Sequence, residues 1–338
     1  MAERRTFGTM PSGEMVEEVV LQGGGLTAQV LTYGSVIRDL RLAGHQPPLV
    51  LGFHSLEDYF EHSPYFGATP GRCANRIARG RCLVDGKPVE LERNEKGIGH
   101  LHGGSDGIAV RNWTIADLGT DHVTLEILDP AGRAGYPGNC RITATYRLLA
   151  AGVLSVRYEA ETDAPTPVNL CQHSYFNLDG SSDILNHDLM LAAQHYLPVD
   201  DETIPTGEQR PVADTPFDFR TPRRIGEARL EGGPIPYDHN FCLSSERVAK
   251  RMVGRLRSAA SGVSMDIMTT EPGVQFYAGS KIKASVPGLS GKAYGPFAGL
   301  CLETQVWPDA INHSTFPNVV LRPGERLVQE TDYIFRKA

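Results

Sequence analysis

Residues 141–160 read RITATYRLLAAGVLSVRYEA. Ile142, Ala144, Tyr146 and Leu148 alternate with Arg141, Thr143, Thr145 and Arg147. After the link 149–152, Leu154, Val156, Tyr158 and Ala160 alternate with Val153, Ser155, Arg157 and Glu159. A period of two marks a strand with one buried face, and two such runs on a short link predict an antiparallel hairpin. Similar β-like runs lie on either side: Leu26–Leu31, His122–Leu128, Ser264–Thr269, Val274–Tyr277 and Arg326–Phe335.

Between these runs, 36 Gly and 23 Pro are spread along the whole length, as many turns joining short strands require. Helical signals are short. Ser55 followed by Asp58 predicts a cap on a turn or two through Phe60, and 222–230 predicts a second short helix. No stretch sustains a 3.6-residue apolar period, which disfavours a layered α/β fold. The expectation is one domain over 1–338, an all-β chain forming a large antiparallel β-sandwich with few short helices.

Composition narrows the function. The 338 residues are 41% hydrophobic with a net charge of −7, and no Lys/Arg-rich segment occurs. That argues against nucleic acid or an anionic membrane surface as partner. No apolar run follows the first arginines, and nowhere do 18 apolar residues stand together, so neither a secretory signal nor a membrane span is expected. The six cysteines make no CxxC pair, which suggests reduced, mostly buried thiols in a cytoplasmic protein.

Six segments could carry chemistry. In 169–180, NLCQHSYFNLDG, an extended chain puts Cys171, His173 and Tyr175 on one face and Gln172, Ser174 and Phe176 on the other, after a run (167–171) that reads as a strand. An imidazole with an unperturbed pKa of ~6.5 can give and take a proton near neutrality; equally, it can sit satisfied in a core. In GRCANRIARG (71–80), Arg76 beside Asn75 offers a fork of donors for sugar oxygens or carboxylates, or a plain salt bridge. HLHGG (100–104) sets His100 and His102 at i and i+2, a spacing that on a strand would suit a metal, with His173 and Glu303 as further ligands. Asp238 in PYDHNFCL (236–243) is a turn former or a ligand-gripping carboxylate, and Gln275 in GVQFY (273–277) could reach a polyol or a backbone group. Glu303 lies in the apolar run 300–304 on a face with Cys301 and Gln305. Burial there costs several kcal/mol unless the carboxylate is paired, and it raises the pKa as a general base requires. GxSxG, GxxxxGK[ST], HExxH and GxGxxG are absent.

Taken together, GRCANRIARG (71–80), HLHGG (100–104), AGYPGN (134–139), NLCQHSYFNLDG (169–180), YLPVDDETIPTG (196–207), YDHNFCL (237–243), EPGVQFYAG (271–279) and CLETQVWPDAIN (301–312) resemble the aldose 1-epimerase family, in the family's order and over nearly the whole chain. The resemblance implies a β-sandwich holding a free monosaccharide, without cofactor or metal, as a monomer or weak homodimer. It implies His173 as general acid on the ring oxygen and Glu303 as general base on the anomeric hydroxyl, bracketing the hemiacetal from opposite sides. His102 would stand beside the ring oxygen, and Asn75, Arg76, Asp238 and Gln275 would hold the other hydroxyls. The implied activity interconverts the α and β anomers of galactose or glucose. A mutarotase of another aldose or of a sugar phosphate, a non-catalytic sugar binder, and a metal enzyme built on His100, His102 and Glu303 are the alternatives. The chain departs from the family's pattern at 105–113 (SDGIAVRNW), which lacks a Phe after HLHGG, and at Thr69-Pro70 and Gln172. These changes flank the implied acid and base and bear on sugar preference.

Overall fold

A computed structural model describes residues 3–62, 65–230 and 232–338. The hairpin read from 141–160 forms as Cys140–Leu149 and Val153–Thr162, in the register Ile142↔Ala160, Ala144↔Tyr158, Tyr146↔Val156, Leu148↔Leu154. These eight are the buried face, and the alternating Arg, Thr and Glu residues face outward. The hairpin sits within a nine-stranded antiparallel sheet. Its strand order is Arg223–Arg224, Asp188–Leu191, Arg251–Arg257, Val263–Thr269, Leu327–Lys337, Val153–Thr162, Cys140–Leu149, His122–Asp129, Thr114–Leu118. A four-stranded sheet, Glu3–Thr9, Met15–Gly23, Leu26–Leu31 and Val36–Leu42, precedes it.

A five-stranded sheet runs Arg210–Pro211, His195–Tyr196, Asp238–Cys242, Gly273–Tyr277, Cys301–Gln305. The strands Gly273–Tyr277 and Cys301–Gln305 are buried on both sides, but the two faces of the sheet differ in kind. Phe241, Val274, Phe276 and Leu302 pack into the main core with Met265, Ile267, Val156 and Tyr333 of the large sheet. The opposite face carries Asp238, Gln275 and Glu303, with Asn240↔Gln275 and Gln275↔Glu303 directly paired. Because paired residues of an antiparallel ladder project to the same side, the sheet lines up three polar side chains from strands distant in sequence.

Two expectations differ from the structure. Residues 222–230 form two short edge strands, Arg223–Arg224 and Arg229–Leu230, rather than a helix. Arg223 and Arg224 pair with Leu189 and Asp188, so their backbone is drawn into the large sheet. The predicted strand over 167–171 shrinks to Thr166–Pro167. Beyond it the chain stays extended but bonds to loops: Asn169 N–H to the Arg72 carbonyl, His173 N–H to the Ala68 carbonyl, and Phe176 N–H to the Leu300 carbonyl. The helix Leu56–His62 matches its signal, with Ser55 Oγ accepting the Asp58 N–H at 3.3 Å. All six cysteines are free thiols, five of them buried. Among the described residues no helix is long and apolar enough to cross a membrane.

Candidate active site

The segment 169–176 threads between the sheets, and its alternation sends one side chain to each. Gln172 turns to the large sheet, where its Oε1 accepts from the hydroxyls of Tyr146 at 3.1 Å and Tyr158 at 3.0 Å, while its Nε2 donates to the Gly67 carbonyl at 2.7 Å. His173 turns the other way, to the polar face of the small sheet. Its Nε2 lies 3.6 Å from Glu303 Oε1. Its Nδ1 lies 3.4 Å from Cys301 Sγ, and Cys171 Sγ is 3.5 Å from Glu303 Oε2. Gln172 therefore anchors the extended segment that presents His173, away from the cavity.

His173 and Glu303 open onto a cavity of about 250 Å³, lined also by Tyr65, Asn75, Arg76, Glu95, Leu101, His102, Tyr175, Asp238, Tyr277 and Lys281. Six of the seven residues singled out from sequence share this wall. The seventh, Gln275, stands behind it and donates from Nε2 to Asp238 Oδ1 at 2.7 Å, so it fixes Asp238 rather than facing the cavity itself. Arg76 forms a two-pronged pair with Glu95, Nε to Oε2 at 2.8 Å and the second prong at 3.0 Å, and lies 3.9 Å from Asp238 Oδ2. Asn75 folds back on its own strand, its Oδ1 accepting the Arg76 N–H at 2.9 Å.

HLHGG does not behave as a strand. Only His100–Leu101 pairs, with Ile77 and Arg76, and His102 leaves the ladder at φ +52°. The two histidines therefore part company. His100 is held by the Glu92 carbonyl at 2.7 Å and the Tyr136 hydroxyl at 2.6 Å, which uses both ring nitrogens and removes it from any metal set with His102 and Glu303. The following glycine is a spatial necessity: a Cβ on Gly103 would stand 1.8 Å from the Gly71 carbonyl oxygen. This close approach brings His102 against the 71–76 loop, where its Nδ1 accepts the Asn75 N–H at 3.1 Å. With Nδ1 an acceptor, the proton of neutral His102 is on Nε2, which becomes a donor. Burial, then the neighbouring His173 and Arg76, hold the His102 imidazole well below its usual range, so it stays neutral.

Glu303 is displaced in the opposite sense. Burial raises it above the ordinary carboxylate range, and Asp238 adds to the rise; His173, the Cys171 thiol and Arg76 oppose it. His173, Cys301 and Glu303 also bring one ligand-type atom each within 4.8 Å of one another. Burial lifts the Cys301 thiol well above its ordinary value, however, which keeps it a neutral S–H and a poor metal ligand.

Residues 17–333 match the sequence profile of the aldose 1-epimerase family. The chain belongs to that family. It is 42% identical to galactose mutarotase of Rattus norvegicus over 99% of this chain and 98% of that one, and 34% identical to aldose 1-epimerase of Escherichia coli over 96% of each. The crystal structure of an aldose epimerase homologue from C. elegans superposes with a TM-score of 0.89 at 30% identity, covering 95% of this chain and 99% of that one. The β-rich fold read from the hairpin is thus the epimerase fold. What sequence reasoning did not single out in this epimerase is the rest of the cavity wall. Glu95 carries no local motif and is legible only as the partner of Arg76. Tyr65 and Lys281 come from segments with no polar pattern; Tyr175 was signalled by sharing a face with His173, and Tyr277 by sharing one with Gln275 in GVQFY.

Proposed function

We propose that this isomerase interconverts the anomers of a free aldohexose such as galactose or glucose by acid–base opening and reclosure of the ring. The observation that carries the reading is the 3.6 Å approach of His173 Nε2 and Glu303 Oε1 on one cavity wall. The two oxygens of a hemiacetal sit on a single carbon, so an acid and a base that serve both at once must be close neighbours. The pair stands side by side rather than across an open cleft. Glu303 takes the proton of the anomeric hydroxyl while protonated His173 gives one to the ring oxygen, and the C1–O5 bond breaks to leave the aldehyde. Rotation about C1–C2 presents the other carbonyl face; His173 then takes back the O5 proton and Glu303 returns its proton to O1. Each placed proton transfer contributes roughly 10²–10⁴ in rate.

Around this pair, His102 donates from Nε2 toward the ring oxygen, and Asn75, Arg76 and Asp238 hold hydroxyls, with Gln275 acting through Asp238. Among the described residues lining the cavity, the carboxylates of Glu95, Asp238 and Glu303 are set against Arg76, Lys281 and protonated His173, with Arg76 already paired, so no cation is in surplus. That balance favours a neutral sugar over a sugar phosphate. It also counts against a mere binder, which has no use for a buried carboxylate kept basic. The test is optical rotation or NMR of freshly dissolved α-galactose and α-glucose: accelerated approach to the anomeric equilibrium supports the reading, and an uncatalysed time course refutes it.

Two further results are expected. Glu303 must be ionised to act, so activity falls as pH drops through its raised pKa, and the acidic limb of kcat/KM begins above the ordinary carboxylate range. An acid working together with a base is expected to give a bell-shaped profile, and His102, held neutral, adds no limb to it. A rate that is flat from about pH 5 to 9 would remove the acid–base pair. Chelation with excess EDTA is expected to leave turnover unchanged, since the histidine and carboxylate act here as proton carriers; loss of activity restored by a divalent cation would overturn that.

A further inference from the structure

The acid–base pair leaves two buried thiols without a task. Cys301 Sγ faces His173 Nδ1 at 3.4 Å, and Cys171 Sγ faces Glu303 Oε2 at 3.5 Å. Neither cysteine lines the cavity, and both are fully buried. Among the described residues no other side chain or backbone group bonds to Nδ1 of His173 or to either oxygen of Glu303. The other titratable groups around His173 are Glu303, His102, Tyr65 and Tyr175; around Glu303 they are His173, Asp238, Arg76, Tyr175 and Tyr333.

The reaction fixes what the atom behind His173 has to do. Nε2 gives a proton to the ring oxygen and later takes one back, so the neutral imidazole between the two steps must keep its hydrogen on Nδ1. With the hydrogen on Nε2 instead, the ring could not accept the returning proton. We propose that Cys171 and Cys301 are positioning residues for the mutarotation: Cys301 Sγ accepts the Nδ1–H of His173 and holds the reactive tautomer, while the Cys171 S–H donates to Glu303 Oε2 and leaves Oε1 to the sugar. Sulfur suits both places because it is a weak donor and a weak acceptor. A carboxylate behind His173 would bind the imidazolium proton too firmly for an acid, and a strong donor behind Glu303 would blunt the base. Two thiols orient the pair without quenching it.

This assignment rests on the acid–base reading of the same site, and its test separates the two. In uniformly ¹⁵N-histidine-labelled enzyme at alkaline pH, the His173 signals, identified by their loss in His173→Gln, are expected to show an unprotonated Nε2 and a protonated Nδ1. Cys301→Ala is expected to mix the tautomers and to lower kcat at least about tenfold, part of what a placed acid contributes, with KM within about twofold. Cys171→Ala removes a donor that stabilises the carboxylate, so it moves the acidic limb of kcat/KM to higher pH. A protonated Nε2 in the unmodified enzyme overturns the role of Cys301, and needs no variant of it to fold. An unmoved acidic limb in Cys171→Ala overturns that of Cys171. If His173→Ala retains full turnover, the acid–base reading falls instead, while the tautomer still decides what Cys301 does to the ring.

Discussion

Replacing Glu303 by Gln is expected to lower kcat for anomer interconversion at least about a hundredfold, close to 2.7 kcal/mol of transition-state stabilisation. The substitution keeps the shape of the side chain in a fully buried site and removes only its ability to take a proton. Cys171 can still hydrogen-bond the amide, and His173 loses its charged neighbour. KM is expected to change far less than kcat, because Arg76 and Asp238, with Gln275 behind it, stay in place to hold the sugar. His173→Ala is expected to cost about as much. The double variant should be little worse than either single one, since an acid and a base that act in one step are not additive. The measurement is the rate of anomeric equilibration by polarimetry, corrected for the spontaneous reaction. Near-wild-type turnover in both single variants would reject the assigned roles while leaving the fold untouched.

Why this pair was legible in the sequence, and other parts were not, follows from the range of the forces involved. Strand alternation is local, so Cys140–Leu149, Val153–Thr162, Leu26–Leu31 and Gly273–Tyr277 could be read to within a residue or two. Glu303 stood out because a carboxylate in an apolar strand needs a reason. The same rule misread HLHGG: a spacing of two implies a shared face only while the chain stays extended, and His102 turns at φ +52°. It also overcalled 167–171, where the backbone is extended beyond Pro167 but bonds to residues 72, 74 and 319 rather than to a regular strand. The partner of Arg76 depends on which loop the fold brings across, and no local pattern announces Glu95. Gln172 shows the same limit from the other side. As a departure from the family's usual residue it suggested an altered sugar pocket, yet its bonds to Tyr146 and Tyr158 place it in the support of the site.

Arg72→Met is expected to destabilise the protein by about 3–5 kcal/mol, the range for breaking a buried charged network by removing one partner. Arg72 has no solvent-exposed surface. Its Nε donates to Asp129 Oδ2 at 2.9 Å, and its two terminal nitrogens reach the carbonyls of Pro137 at 2.7 Å, Gly138 at 3.0 Å and Asp129 at 2.9 Å, with the Thr166 hydroxyl at 3.1 Å. Methionine fills much of the same volume but leaves these acceptors without a donor; Arg111 still pairs with Asp129 at 2.9 Å, which keeps the loss from the top of the scale. The contrast is Arg81→Met, which breaks an exposed pair with Glu90 and should cost less than about 1 kcal/mol. Midpoints of urea unfolding, compared at equal slope, measure both. The effect should also reach the site, because the Arg72 carbonyl holds the Asn169 N–H and the Asn169 carbonyl holds the Ala74 N–H. Those two bonds tie the loop carrying Asn75 and Arg76 to the segment carrying His173. A variant that stays folded at low temperature is therefore expected to raise KM severalfold, and unchanged stability together with unchanged KM would show that the loop is held by other contacts.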